Sequence, residues 1–153
     1  MKILLAEDNA DDVVLVQLAF KRAGAQSHLT AVTDGLEVLE YLKGEGAFAN
    51  REAYPFPDVL LLDLNMPRKN GFEVLAWVRQ DLRCTRLMVH VLTASPRDAD
   101  VDRAYSLGAN SYVVKPSRLD ELVVFAAALH KWHGFVKLAK PPAETRCEVS
   151  AHA

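Results

Sequence analysis

The sequence has 153 residues, half of them hydrophobic and 25% charged, which suits one compact domain with a real core. A net charge of −2 offers no basic field for nucleic acid or an anionic membrane, and no apolar run approaches the roughly 20 residues that span a bilayer. The two cysteines, Cys84 and Cys147, are too far apart for a CxxC pair and suggest neither a disulfide framework nor a zinc site, so the chain reads as a cytoplasmic protein.

The first apolar run, Ile3–Ala6, stops at the acids Glu7 and Asp8, too early for a signal peptide. Asn9 then caps a first helix with Asp12 at its third position, and Gly24 marks its end. His28–Val32 is the second short run. Asp34 and Glu37 open a second helix that stops near Gly44. A longer loop, Gly46–Pro57, leads to the run Val59–Leu62. Asn70 and Glu73 begin a third helix, on which Trp77 packs with Val74 and Val78. After the run Met88–Thr93, Ser95 is expected to cap a fourth helix, with Pro96 at its first position and Asp98 following; Gly108 closes it. The fifth run is Ser111–Val114. Ser117, with Asp120 beyond it, is expected to cap a fifth helix that ends near Gly134. A short polar side chain at each start can accept from an orphan N–H, and an acid one turn in favours the positive helix end.

The apolar runs are too short for stable helices and read as strands covered on both faces. Strict alternation of strand and helix, five times over, implies a flavodoxin-like (βα)5 three-layer sandwich, with parallel strands in the order 2-1-3-4-5. Residues 1–133 form this domain. Residues 134–153, with Pro141-Pro142 and few apolar side chains, read as a mostly mobile tail.

In such sheets the chemistry sits at the carboxyl ends of the strands. Strand 1 ends in Glu7-Asp8, strand 3 in Asp63, strand 4 in Thr93 and strand 5 in Lys115. Three carboxylates in one place either raise a pKa or hold a cation, and an oxygen-only ligand set suits a hard ion such as Mg²⁺. Lys115 adds a point charge that can meet a phosphoryl oxygen. The set suits phosphoryl transfer to an Asp63 oxygen, with Thr93 offering a hydroxyl to the transferred group.

Leu4–Asn9, Leu61–Pro67, Leu92-Thr93-Ala94 and Val114-Lys115-Pro116, with Gly71 and Gly108-Ala109, resemble the bacterial two-component response-regulator receiver family over about residues 1–133. The resemblance implies that Asp63 is the phosphoacceptor and Glu7 and Asp8 the acid pair, with Asp8 the direct metal ligand and Glu7 acting through water. It implies that Asn65 lends its backbone carbonyl to Mg²⁺, Thr93 is the switch hydroxyl, Lys115 binds phosphate, and Tyr112 changes rotamer on activation. It also implies a cis Lys115–Pro116 peptide. Glu rather than Asp at position 7 is the one departure. The loop before strand 3 and the lack of an output domain resemble single-domain receivers paired with phytochrome-like histidine kinases.

Helix 5 carries two apolar stripes. Leu119, Leu122, Ala126 and Leu129 would face the sheet; Val124, Phe125, Ala128 and Trp132 would be covered either by a partner, most simply a second copy, or by the tail folding back through Phe135-Val136. The alternatives are a phosphorylation-independent adaptor and a haloacid-dehalogenase-type phosphohydrolase. The latter wants an acid two residues after its nucleophile, where this chain has Asn65. Asp11 and Asp12 read as capping acids of helix 1, and His130 and His133 as helix-end residues without further metal ligands.

Overall fold

The middle layer is a five-stranded parallel sheet in the order β2-β1-β3-β4-β5. The computed structural model describes residues 1–25 and 27–139. Its strands are β1 (Lys2–Ala6), β2 (His28–Val32), β3 (Val59–Leu62), β4 (Met88–Thr93) and β5 (Ser111–Val114). The helices are α1 (Ala10–Arg22), α2 (Gly35–Lys43), α3 (Gly71–Gln80), α4 (Asp98–Ser106) and α5 (Leu119–Phe135). Successive strand side chains point to opposite faces, so each central strand feeds two cores. Leu4, Leu60, Leu62, Val89 and Val91 pack with Val38, Leu42, Val74 and Val78 of α2 and α3. Ile3, Leu5, Leu61 and Leu92 pack with Val16, Phe20, Leu122, Ala126 and Leu129 of α1 and α5. Every residue of β3 is buried, as expected of a strand covered on both faces.

The register aligns the strand ends. Ala6 pairs with both Val32 and Leu62, and Thr93 pairs with Val114. The ladder continues one bond further. Glu7 N–H donates to the Val32 carbonyl (3.0 Å), Asp63 N–H to Ala6 (3.0 Å) and Lys115 N–H to Thr93 (2.7 Å). Three of the residues expected to carry the chemistry, Glu7, Asp63 and Lys115, therefore have their backbones fixed by the sheet itself.

Asn9, Asp34 and Asn70 cap α1, α2 and α3 as expected, with a full capping box between Asn70 and Glu73. Two caps differ from expectation. α4 starts at Asp98 behind Arg97, with Pro96 outside it. Ser95 Oγ is engaged by Asp100 Oδ2 at 2.5 Å, and a residue before proline is held out of the helical region. α5 starts behind Arg118, not Ser117, with no side-chain cap bond; Arg118 instead forks onto Asp120 at 3.0 and 2.6 Å. α5 also runs through Gly134 to Phe135.

Backbone geometry corrects one further expectation. The described residues contain no cis peptide bond, so Lys115–Pro116 is trans. Both isomers of an X–Pro bond lie within about 1 kcal/mol, and the trans form already delivers Lys115 to the strand edge.

The loop before β3 is packed rather than loose. Arg51 donates to the carbonyls of Tyr41 (2.7 Å) and Leu42 (2.8 Å) at the end of α2, and the rings of Tyr41, Phe48 and Tyr54 cluster. The loop after β3 is pinned by Arg68, in the left-handed region at φ 61°. Its guanidinium is paired with the α2 cap Asp34. Those bonds, with the N–H groups of Glu37 and Leu36, overcome the burial that would raise the Asp34 carboxyl and hold it below the usual range. α3 then returns against the end of β3. Gly71 N–H donates to Leu64 O at 3.0 Å, and a Cβ at Gly71 would lie 2.3 Å from the Asp63 carbonyl oxygen. Only glycine lets the helix approach the backbone of Asp63 so closely.

The inward stripe of α5 is buried at Leu122, Ala126 and Leu129, while Val124 is 68% exposed and Trp132 38% exposed. No helix among the described residues is long and apolar enough to cross a membrane.

Candidate functional site

Carboxylate oxygens of Glu7, Asp8 and Asp63 lie within 4.8 Å of one another. Glu7 and Asp63 are buried and Asp8 is exposed, so the cluster opens to solvent on one side. One Asp63 oxygen, Oδ1, accepts from the N–H groups of Leu64 (2.7 Å) and Asn65 (3.4 Å). The other, Oδ2, faces Lys115 Nζ at 3.5 Å. The turn after β3 therefore holds one oxygen and leaves the second towards the cluster.

Lys115 Nζ also bonds Glu7 Oε2 and Asp12 Oδ2, the latter at 3.0 Å. Burial alone would lower the Lys115 ammonium, but hydrogen bonds to Glu7 and Asp12 and the charge of Asp63 outweigh it and raise it above the ordinary lysine range. Burial pushes the Glu7 carboxyl up, and Asp63 adds to the rise; the bonds donated by Lys115 and the Asn9 N–H oppose it. The site carries its charges at close quarters and compensates them through one cation.

Thr93 is fully buried at the end of β4, and its Oγ1 has no hydrogen-bond partner among the described residues. A buried hydroxyl left unpaired costs free energy unless another state supplies an acceptor. Tyr112, on the neighbouring β5, donates its hydroxyl to the Ser95 carbonyl at 2.9 Å, just beyond Thr93.

The structure thus brings Glu7, Asp8, Asp63 and Lys115 together, with Thr93 and Tyr112 on the adjoining strand ends and Asn65 in the turn that holds Asp63. It also brings in Asp12, which the sequence pattern marks as a helix-capping acid. Its position four residues after Asp8, in the first turn of α1, put it near the acid pair but did not reveal the contact with Lys115. His133 Nε2 lies 3.8 Å from Asp58 Oδ2, away from this edge. Cys84 is buried, which pushes its thiol up to about 11, and takes no part. Cys147 lies outside the described residues.

An oxygen-only set of three carboxylates fits a hard divalent cation. With a facing lysine and an unpaired buried threonine hydroxyl at the same sheet edge, the fold and site define a receiver-type α/β domain. The chain belongs to the response regulator receiver domain family, whose model matches residues 3–127. It is 39% identical over 120 residues to the response regulator Rcp1 of Synechocystis sp., covering 78% of this chain and 80% of Rcp1. The crystal structure of the Mn²⁺-bound form of Rcp1 superposes with a TM-score of 0.79 at 36% identity, over 90% of this chain and 98% of that one. The phosphorylated cyanobacterial phytochrome response regulator RcpA gives 0.82 at 36% identity, over 91% and 98%. A response regulator in red light signaling of R. palustris gives 0.82 at 37%, over 92% and 97%.

Replacing Thr93 by Val removes the unpaired hydroxyl and keeps the shape. The unmodified protein is expected to gain about 1–2 kcal/mol in equilibrium urea unfolding; a loss of stability would show that the hydroxyl is already paired.

Proposed function

We propose that this protein is a phosphorylation switch that takes a phosphoryl group onto Asp63 from the phosphohistidine of a sensor histidine kinase. The observation that carries the reading is the convergence of Glu7, Asp8, Asp63 and Lys115 at one sheet edge. The similarity to Rcp1, RcpA and the R. palustris protein supports a phytochrome-like kinase as the donor. In the transfer an Asp63 carboxylate oxygen attacks phosphorus, the P–N bond of the donor breaks, and the imidazole leaves with the bonding pair. Lys115 offers its ammonium to a phosphoryl oxygen. Leu64 and Asn65 N–H groups keep Oδ1 oriented so that Oδ2 is the attacking atom. Glu7, Asp8, Asp63 and the Asn65 carbonyl are the residues that would hold Mg²⁺, which would supply charge neutralisation on the transferred group.

The Thr93 hydroxyl, unpaired before transfer, then donates to a phosphoryl oxygen. Moving Thr93 inward vacates space beside Tyr112, whose ring follows, and the surface of α4, β5 and α5 changes shape. Water later hydrolyses the acyl phosphate, so the chain is a switch that assists its own modification rather than a turnover enzyme. A receiver over residues 1–133 working in the cytoplasm is consistent with this role; residues 140–153 of the expected tail lie outside the described residues. Asn65, where a haloacid-dehalogenase-type hydrolase wants a second acid, speaks against that alternative. The complete acid set speaks against a phosphorylation-independent adaptor.

Intact mass after incubation with Mg²⁺ and acetyl phosphate tests the reading. A single Mg²⁺-dependent phosphoryl adduct is expected in the wild type and none in Asp63→Asn; no adduct in either would leave the adaptor reading in its place.

The exposed Val124 of α5, with Trp132 half-exposed beside His90, favours a homodimer through this helix. Light scattering is expected to show a dimer of the phosphorylated protein that Val124→Glu returns to monomer. A monomer at high concentration with Asp63 phosphorylated rules it out.

A further inference from the structure

We infer that Asp12 is a positioning residue of this site, whose carboxylate holds the Lys115 ammonium over Asp63. Its effect on phosphorylation rests on the reading of Asp63 as phosphoacceptor; the contact itself does not.

α1, α2 and α3 each carry an acid at the third helical position: Asp12, Glu37 and Glu73. In α3, Glu73 turns back to accept from Asn70 N–H at 2.8 Å. In α2, Glu37 turns back to Thr33, accepting from its N–H at 2.7 Å and its hydroxyl at 3.0 Å. This is what an acid at that position ordinarily does. Among these three side-chain-capped helices α1 is the exception. The backbone N–H of its cap, Asn9, is already donated to Glu7 Oε1 at 3.0 Å. With that donor taken, Asp12 has nothing to turn back to, and its carboxylate accepts instead from Lys115 Nζ at 3.0 Å.

The contact has a purpose that Glu7 cannot serve alone. A lysine ammonium sits on a flexible four-carbon stem and keeps one position only if it is anchored at the tip. Two acids lie nearest to Lys115, and Glu7 belongs to the carboxylate trio suited to a cation whereas Asp12 does not. When Glu7 is drawn to a cation, Asp12 remains as the anchor dedicated to Lys115. Asp12 stands on the rim, 35% exposed in its side chain against 14% for Lys115, so it steadies the ammonium without enclosing it.

The test is competitive acetylation of Lys115 with acetic anhydride, read by peptide mass spectrometry on the folded full chain with and without Mg²⁺. Asp12→Asn keeps the backbone N–H that Asn9 caps and removes only the anchoring charge. Lys115 is expected to react about two- to fivefold faster in it, the scale of a partly exposed ion pair, and Asp11→Asn to match the wild type. In parallel, labelling by acetyl phosphate, in which the Asp63 O–P bond forms and acetate leaves with the electron pair of the broken P–O bond, is expected to slow by about the same factor. Lys115 reactivity in Asp12→Asn equal to that of the wild type, or to that of Asp11→Asn, would overturn the inference. If Asp12→Asn frees Lys115 while the wild type takes up no phosphoryl group, the positioning role stands and the phosphoacceptor reading fails.

Discussion

Electrostatic repulsion at the carboxyl edge of the sheet is the constraint around which the rest is arranged. Glu7, Asp8 and Asp63 bring carboxylate oxygens within 4.8 Å of one another. At an effective dielectric constant near 20, each such pair of charges repels by on the order of 3 kcal/mol. A chain gains nothing in stability from such a cluster. It is tolerable because the surrounding structure is over-determined and because Lys115 returns positive charge to its centre. The lysine is held by the acids and the acids are held together by the lysine. Bringing a second cation, or a phosphoryl group, to this edge changes the balance of both.

The fold's task is to keep the repelling groups from relaxing apart. The ladder bonds of Glu7, Asp63 and Lys115 fix their backbones one residue beyond the paired strands. The turn after β3 is locked from two sides. Arg68 ties it to Asp34 at the start of α2, and Gly71 lets α3 rest on the Asp63 carbonyl. Two apolar cores beneath, one on each face, supply the burial that offsets the cost of the site. The soft part is on the other side. α4 has no side-chain cap and buries only Ala104, and it meets β5 where Tyr112 N–H donates to the Tyr105 hydroxyl at 3.2 Å. An element so lightly held can shift at small cost.

Much of this was legible in the sequence because it follows from periodicity and from residues with one dominant use. All five apolar runs are strands, and four of them have the expected limits while β1 begins one residue earlier, at Lys2. Asn9, Asp34 and Asn70 precede acids three positions on and do cap. Ser95 and Ser117 looked alike but do not, since a proline follows Ser95 and its hydroxyl has a competing acceptor in Asp100, while the helix beyond Ser117 starts a residue later than its spacing suggested. The trans Lys115–Pro116 peptide was not legible either, because the two isomers differ so little in energy. Topology led to the expectation that Glu7, Asp8, Asp63 and Lys115 meet at one sheet edge, and there they do lie together. Asp12 was not expected there, because its role is decided by a hydrogen bond elsewhere: Asn9 N–H is spent on Glu7, and no pattern of residue types records that.

The most direct measurement is urea unfolding of the wild type and Asp8→Asn with and without Mg²⁺. If the clustered carboxylates are a cost that a cation relieves, Mg²⁺ stabilises the wild type increasingly with concentration. Asp8→Asn is then more stable than the wild type without Mg²⁺ and indifferent to its addition. A wild type unmoved by Mg²⁺, with Asp8→Asn the less stable of the two in its absence, would contradict the account.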